Sequence, residues 1–443
     1  LNRLRDKKHL ILNRGCTLSP LPTLAVIGAG ISGLGAALIL QQKYAVTLYE
    51  AEPRLGGHAR TRTVKGLDGR EIPVDTGFIV WNRRNYPQLG GLFEFLKVPT
   101  HASDMSFAVS IGNGWLEYGT QSLRAALAQT RNLTRPQFAG MLRDIFRFNA
   151  HAITILDDAR ELTLGEYIDE LHLGDWFRRY YLYPMGGAIW SCPPATMLGF
   201  PAKTFVQFFH NHGLLSTQGQ PQWHTVTGGS REYVTRLRAA LTGTISEGHA
   251  VTDVRRTADG VEVQDASSAV RRFDQVVFAC HADTALGLIE TPTPEERRIL
   301  GAFRFQTNDA YLHRDTNLMP KRRAAWASWV YRLNETRDQR PAISVSYWMN
   351  RLQGIDAQTP LFVTLNPEQP PRADLIEDRH TFTHPVFDQD AVRAQDRLPQ
   401  IQGVDRLWFC GAWQRYGFHE DGLWSAVCVG AGLKVCAPWK PLH

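Results

Sequence analysis

Near the C-terminal end of the 443-residue chain, Tyr416, His419, Glu420 and Asp421 crowd into the stretch FCGAWQRYGFHEDGLWSA. An imidazole beside two carboxylates can move protons at a substrate. The same groups can ligate a metal ion. They can equally form the wall of a cofactor pocket, because glycines and the aromatics Trp413, Phe418 and Trp424 surround them. The stretch alone leaves all three open.

Other groups with chemistry in them are weaker. His210 and His212, with His224 nearby, have a metal-ligand spacing for a strand, but no carboxylate or cysteine pattern completes the set, so no metal is expected. Cys192 in AIWSCPP has no basic neighbour and reads as an inert buried thiol. Arg322 and Arg323 read as solvated or headgroup-facing. Trp190, after the glycine pair Gly186-Gly187, is a candidate wall of a substrate channel.

The elements that must position such groups are clearest near the start. LAVIGAGISGLGAALILQQKYAVTLYEAEPRLGGHART places a short apolar strand, Leu24 to Ile27, directly before Gly28-x-Gly30-x-x-Gly33. A helix to about Gln42 and a second strand, Ala45 to Tyr49, follow and end at Glu50. This is the βαβ setting that the glycine fingerprint requires. Gly28 permits the tight turn, Gly30 lets the backbone approach a pyrophosphate, and Gly33 lets helix and strand pack closely. The helix N-terminus around Ile31 and Ser32 would carry the phosphates. Glu50, with Ala51 behind it, is placed to bind a ribose and would repel a 2′-phosphate.

A second glycine pair, Gly56-Gly57, lies just beyond, followed by His58 and Arg60. It lets the backbone run along an extended diphosphate, and Arg60 or Arg62 could neutralise its charge. With VDTGFIVWN, this pattern resembles the flavin-dependent amine oxidase superfamily. That resemblance implies bound FAD, with Thr76, Gly77, Phe78 and Ile79 passing the flavin ring. It also implies backbone contacts to adenine from the strand holding Val251, and a buried strand ending at Ala279 that leads toward the FAD. Many members have an arginine directly after the glycine pair, where this chain has His58.

The expected fold class is α/β: a Rossmann-like FAD-binding domain with an inserted α+β substrate domain. The FAD-binding domain is expected to be discontinuous, at 22–85, 223–292 and 398–437. Segments 86–222 and 293–397 would form the substrate domain, and 1–21 a basic extension. From Tyr86 to about Arg179 the apolar spacing of three and four residues predicts helices. Thr163 and Glu166 have the spacing of a capping box.

Composition fits an ordinary globular protein, with 43% hydrophobic and 21% charged residues and a net charge of +6. No long basic block suggests nucleic acid. Six scattered cysteines without a CxxC pair fit a reducing, cytoplasmic setting. The longest apolar run is broken by glycines, which argues against a membrane span. The basic balance is compatible with peripheral contact at the inner face of a membrane.

Seven segments in order, GGHART, VDTGFIVWN, YPMGGAIWSCPP, NHGLL, PQWHTVTGGSREYV, LMPKRRAAWASW and FCGAWQRYGFHEDGLWSA, carry a closer resemblance. They resemble a bacterial subgroup of flavoproteins encoded beside cyclopropane-fatty-acid-synthase-like methyltransferases. The resemblance implies an FAD-dependent oxidoreductase that dehydrogenates an unsaturated or methyl-branched acyl chain, as on a route to furan fatty acids. It also implies functional pairing with an S-adenosylmethionine-dependent lipid methyltransferase. The alternatives are a flavin amine oxidase, a redox-neutral double-bond isomerase, and a noncatalytic FAD-binding scaffold. Trp413, Tyr416 and Phe418 could build an amine cage, but no segment supplies the lysine that amine oxidases often carry.

In that setting the C-terminal stretch becomes a flavin wall. Gly411 ends a buried strand, and Ala412-Trp413 stand where many relatives carry an acid. Asp421, Gly422 and Leu423 open the last helix, with Asp421 as its cap. Trp413 is expected at the substrate pocket, and His419 and Tyr416 are the candidate catalytic side chains.

Overall fold

The computed structural model describes residues 20–190, 197–211, 214–215, 220–335 and 341–442. The basic extension up to residue 19, Cys192, His212 and the side chain of Trp190 lie outside the described residues.

Five parallel strands form the nucleotide sheet, in the order Thr244–Glu247, Ala45–Glu50, Thr23–Ile27, Gln275–Phe278, Leu407–Phe409. Strands buried on both faces read as continuous apolar runs, and Leu24 to Ile27 is one. Leu24 and Val26 enter one core with Leu34 and Ile39 of the following helix. Ala25 and Ile27 point the other way, into a core with Val254, Phe278 and Trp413. The helix, Ile31–Leu40, ends two residues before the expected boundary. The strands Val251–Arg256, Val261–Asp265 and Val270–Phe273 form a separate antiparallel sheet.

A seven-stranded sheet forms the second layer, in the order Ile376–Val386, Arg304–His313, Phe362–Leu365, Pro341–Trp348, Trp329–Glu335, Phe107–Ile111, Leu116–Gly119. Phe107–Ile111 and Leu116–Gly119 fall inside the stretch expected to be helical. Both are buried throughout, with Ser110 and Glu117 inside them, and strands this short give little period-two signal. The helices begin in earnest at Pro136–His151. At Leu164–Glu170 the Thr163–Glu166 capping box is present. His210 lies on the helix Ala202–Asn211, so its strand-type metal spacing does not arise.

The helix Pro87–Phe95 packs against the last helix, His419–Gly432, and its Leu89 and Leu92 join the core of the nucleotide sheet. Among the described residues no helix is long and apolar enough to cross a membrane.

Candidate functional site

At the C-terminal end of the central strand, Gly28 has φ +102° and donates its N–H to Tyr49 O at 2.8 Å. A Cβ on Gly33 would lie 1.8 Å from Gly28 O, so the helix touches the turn. A Cβ on Gly30 would meet nothing within 4 Å. The helix that starts at Ile31 and Ser32 has no side-chain cap and no acid in its first turn. Open space therefore fronts a helix end whose partial charge is positive. Glu50 is fixed by Ala29 N at 2.7 Å and Glu52 N at 2.9 Å, with Ala51 exposed at the bend.

The second glycine pair completes this cradle. Gly56 N–H donates to Ala29 O at 2.8 Å, and a Cβ on Gly57 would lie 3.1 Å from Gly30 Cα. Arg54, which sequence reasoning missed, donates to Gly57 O at 2.9 Å and pairs with Glu52 at 3.0 Å. Its signal was a basic residue two places before the glycines. Ala279 packs on the first turn, its O 2.8 Å from a Cβ on Gly28. Val251 starts the antiparallel sheet opposite Asp265, and His249 N–H reaches Glu50 O at 2.9 Å.

Arg60 has a carboxylate partner within the protein. Its guanidinium pairs with Asp378 at 2.5 Å, and Arg62 reaches the same carboxylate at 3.2 Å. Arg60 also donates to Thr76 Oγ1, so it ties this loop to the strand Ile376–Val386. Its charge is satisfied before any ligand arrives.

The segment after it lies on the backbone of His58. Phe78 N–H donates to His58 O at 2.8 Å, and a Cβ on Gly77 would fall 2.1 Å from that oxygen. Ile79 O accepts the Thr225 hydroxyl. Asp75, fully buried, accepts Ser230 N–H at 2.8 Å, the Ser230 hydroxyl at 2.7 Å and the Thr61 hydroxyl at 2.6 Å. Burial lifts its carboxyl to about 6 in spite of those donors.

The C-terminal stretch brings a second helix end to the first. Gly411 N–H donates to Ser425 Oγ at 2.8 Å. A Cβ on Gly422 would lie 2.8 Å from Ser32 Oγ and 3.0 Å from Ile31, with Ala412 also beside it. Leu423 packs on Gly35 of the first helix. The N-terminal ends of the helices Ile31–Leu40 and His419–Gly432 thus converge, which favours negative charge between them.

The acids are already used. Glu420 accepts Gln88 N–H and Leu89 N–H, each at 2.9 Å, and so caps the helix Pro87–Phe95. Asp421 accepts Phe418 N–H at 2.9 Å, reaching back to its own helix start from the third position. Burial raises them to about 7 and about 6.

Trp413 is a correction. It is 2% exposed, its Nε1 donates to Cys280 O at 3.0 Å, and its ring packs 4.6 Å from Phe303. It belongs to a core of the nucleotide sheet, because the tight turn at Gly411 folds the ring inward. It walls no substrate pocket and joins no amine cage.

His419 stacks on Phe78, with centroids 3.9 Å apart at 16°, and its Nε2 shares a hydrogen bond with Tyr233 Oη at 3.0 Å. Burial lowers the imidazole to about 3 and raises the Tyr233 phenol, so the pair is neutral. Tyr416 sits apart from it, 6.2 Å from Phe208, whose ring stacks on Phe418 at 5.1 Å. Phe200, Phe205, Phe387, Tyr416 and Arg415, with Thr204 and Gln395, line a small cleft of about 20 Å³.

A further cluster came from residues too distant in sequence to signal each other. The His58 ring lies 5.0 Å from Phe382, 5.3 Å from His384 and 6.5 Å from His281. His384 Nδ1 meets Asn308 Nδ2 at 2.7 Å, and His281 stacks on Phe305 at 4.1 Å. Burial lowers all three imidazoles, His384 to about 4.

The cradle, the ribose-facing carboxylate and the two converging helix ends fit FAD. Comparison with known proteins agrees. The sequence model of the family described as "Flavin containing amine oxidoreductase" matches residues 31–305, more than half of the chain. A carotenoid phi-ring synthase of Streptomyces griseus is 29% identical over 174 residues, 36% of this chain and 31% of that protein. Lysine-specific histone demethylase 1 homolog 1 of Arabidopsis thaliana is 40% identical over 81 residues, 18% of this chain and 10% of that protein. The chain thus spans under a third of the length of either curated relative. Among solved structures, cyclohexylamine oxidase from Brevibacterium oxydans IH-35A matches with TM-score 0.67 at 13% identity, over 94% of this chain and 100% of that one. A CLA-producing fatty acid isomerase from P. acnes matches with TM-score 0.66 at 14% identity, over 93% of this chain and 98% of that one. At those identities the likeness is one of fold.

Proposed function

The chain belongs to the flavin containing amine oxidoreductase family, and within it we propose an FAD-dependent oxidoreductase that dehydrogenates a fatty acyl chain. The chain would be unsaturated or methyl-branched and carried by a phospholipid, as on a route to furan fatty acids. The protein would then work at the inner face of a membrane, paired with a methyltransferase that builds the branch. One observation carries the reading. The small cleft at Arg415 and Tyr416 is walled mainly by Phe200, Pro201, Phe205, Phe387, Val392 and Tyr416, with Thr204 and Gln395 as polar members, and its one charged group is Arg415. Such a lining takes a hydrocarbon and, at its edge, an anionic carboxylate or headgroup.

The same features count against an amine. No lysine among the described residues is buried. The buried acids Asp75, Glu420 and Asp421 already accept backbone N–H groups. Two fold relatives, named for cyclohexylamine and for a fatty acid, show that this fold serves both chemistries.

FAD, when bound, supplies the two-electron acceptor. Loss of a hydride equivalent and a proton from adjacent carbons leaves a new double bond, and the electrons pass on to an external oxidant. The chain's own part is to exclude water with the Phe208–Phe418 stack and to hold the His419–Tyr233 pair neutral. The converging helix ends favour the negative charge of a reduced flavin.

Anaerobic mixing of the FAD-loaded protein with unsaturated or methyl-branched phospholipid tests the reading. Bleaching of the flavin and a product two hydrogens lighter are expected. Hydrogen peroxide released only with amines overturns it. An acyl product of unchanged mass would replace it with the isomerase reading.

A further inference from the structure

We propose that the helix Pro136–His151 and the turns before it form a docking surface for an anionic lipid bilayer. The helix has two apolar faces where a surface helix needs one. Phe138, Met141 and Phe148 enter the core. A second stripe, Ala139, Leu142, Phe146 and Ile153, recurs at spacings of three, four and seven and lies open to solvent. Phe146 is 68% exposed. In the preceding turns Leu133 and Leu123 are exposed as well, at 67% and 83%. Scattered apolar residues are ordinary on a surface, but a continuous stripe marks a contact site.

Charge selects the occupant. Between Thr120 and Leu156 the chain has five arginines, at 124, 131, 135, 143 and 147, and one acid, Asp144. Asp144 is 3% exposed, and it accepts Gly174 N–H and the Arg143 guanidinium. Apart from Asp157, exposed at the end of the turn Ala152–Asp157, the outward charge of the segment is positive. Arg143 and Arg147 each follow a residue of the apolar stripe, so their charges flank it. The turn Arg323–Ala325 packs on the helix Leu123–Ala126 and adds the exposed Arg323, while Arg322 is paired with the buried Glu117. Leucine and phenylalanine bordered by arginines suit the boundary between acyl chains and anionic headgroups.

The surface also lies near the cleft. The turn Ala152–Asp157, which continues the stripe, packs on the helix Ala202–Asn211. Phe205 of that helix lines the cleft. The proposal stands on these exposed residues and does not depend on the acyl-chain reading.

Flotation of the full FAD-loaded chain with phosphatidylglycerol-containing vesicles tests it, against vesicles of phosphatidylcholine alone. Binding to the anionic vesicles, lost at high salt, is expected. Arg143→Ser with Arg147→Ser should weaken it roughly thirty-fold, and Leu142→Ser with Phe146→Ser should weaken it at both salt levels. Flavin absorbance and circular dichroism of each variant establish that it is folded. No binding, equal binding to both vesicle types, or binding unchanged by both variants overturns the proposal. Sedimentation that shows a dimer, broken by Leu142→Ser with Phe146→Ser and without vesicle binding, also overturns it and makes the stripe a contact between copies. Turnover of detergent-dispersed substrate should be unaffected by either variant, so failure here is separable from failure of the proposed reaction.

Discussion

The Asp75 carboxylate accepts both the backbone N–H and the hydroxyl of Ser230, at 2.8 and 2.7 Å across 155 residues of chain. It thereby fixes the start of the helix Arg231–Ala240, which supplies Tyr233 to His419. Asp75→Ala leaves the buried Ser230 N–H and the Gln353 Nε2, which donates to Asp75 at 3.1 Å, without their acceptor. It should cost about 3 kcal/mol or more in denaturant unfolding, and release flavin. A loss below about 1 kcal/mol would show that these contacts do not hold the site together.

Gly30 and Gly33 should fail in different ways. Gly30 has φ −71°, and a Cβ there enters open space, so Gly30→Ala should fold normally yet bind FAD poorly. Gly33→Ala forces a Cβ to 1.8 Å from a backbone oxygen and should lower the melting temperature of the flavin-free protein. Equal flavin content in Gly30→Ala and the parent would place the diphosphate elsewhere.

Arg60 and Asp378 are coupled. Arg60→Met alone leaves a carboxylate that is largely buried without its main partner, and should destabilise by about 3 kcal/mol. Arg60→Met with Asp378→Leu should recover much of that loss. Unchanged flavin content in both would show that the guanidinium serves Asp378 alone.

Glu420 makes the pH dependence testable. Its folded carboxyl titrates near 7, above the ordinary 4.5, so its ionisation costs folding free energy. That cost is absent below about pH 4.5, grows as pH rises toward 7, and is complete above it. Glu420→Gln cannot ionise. Its melting temperature relative to the parent should therefore rise between pH 4.5 and 7.5. A relative fall across that range would mean that the carboxylate is stabilised by its two N–H donors beyond its desolvation.

His419 is held neutral at about 3. The pH profile of turnover should thus show no step near 6.5 that disappears in His419→Ala. Removing the ring also uncovers Phe78 and strands Tyr233 Oη, so the same variant should lose flavin. Retained flavin with turnover abolished would instead give His419 a catalytic role.

Local sequence carried most of the nucleotide half. The strand before Gly28, the helix at Ile31, Glu50 and the turn at Gly56-Gly57 signal within a few dozen residues of each other, and each serves the same cradle. The Arg60 pair was not legible, because a guanidinium near a glycine pair gives no local sign of Asp378, 318 residues on. Trp413 misled because a ring after a tight turn can fold to either side, and packing against Phe303 decides. His58, His281 and His384 meet only through tertiary contact, so no spacing announced them. The strands Phe107–Ile111 and Leu116–Gly119 were hidden because each is too short to show a period against the helical spacing around it.

The convergence of two helix ends has a consequence for how the protein is made. Ser32 meets Gly422 only after the roughly 390 residues that separate them have left the ribosome. A nascent chain can form the first glycine turn early, but it has only half a seat for the flavin. Cofactor capture should thus come last in biosynthesis, and it acts as a latch, because a ligand that binds only the finished fold draws the folding equilibrium after it. Cells short of flavin should accumulate a looser, protease-sensitive protein whose two ends have not been drawn together.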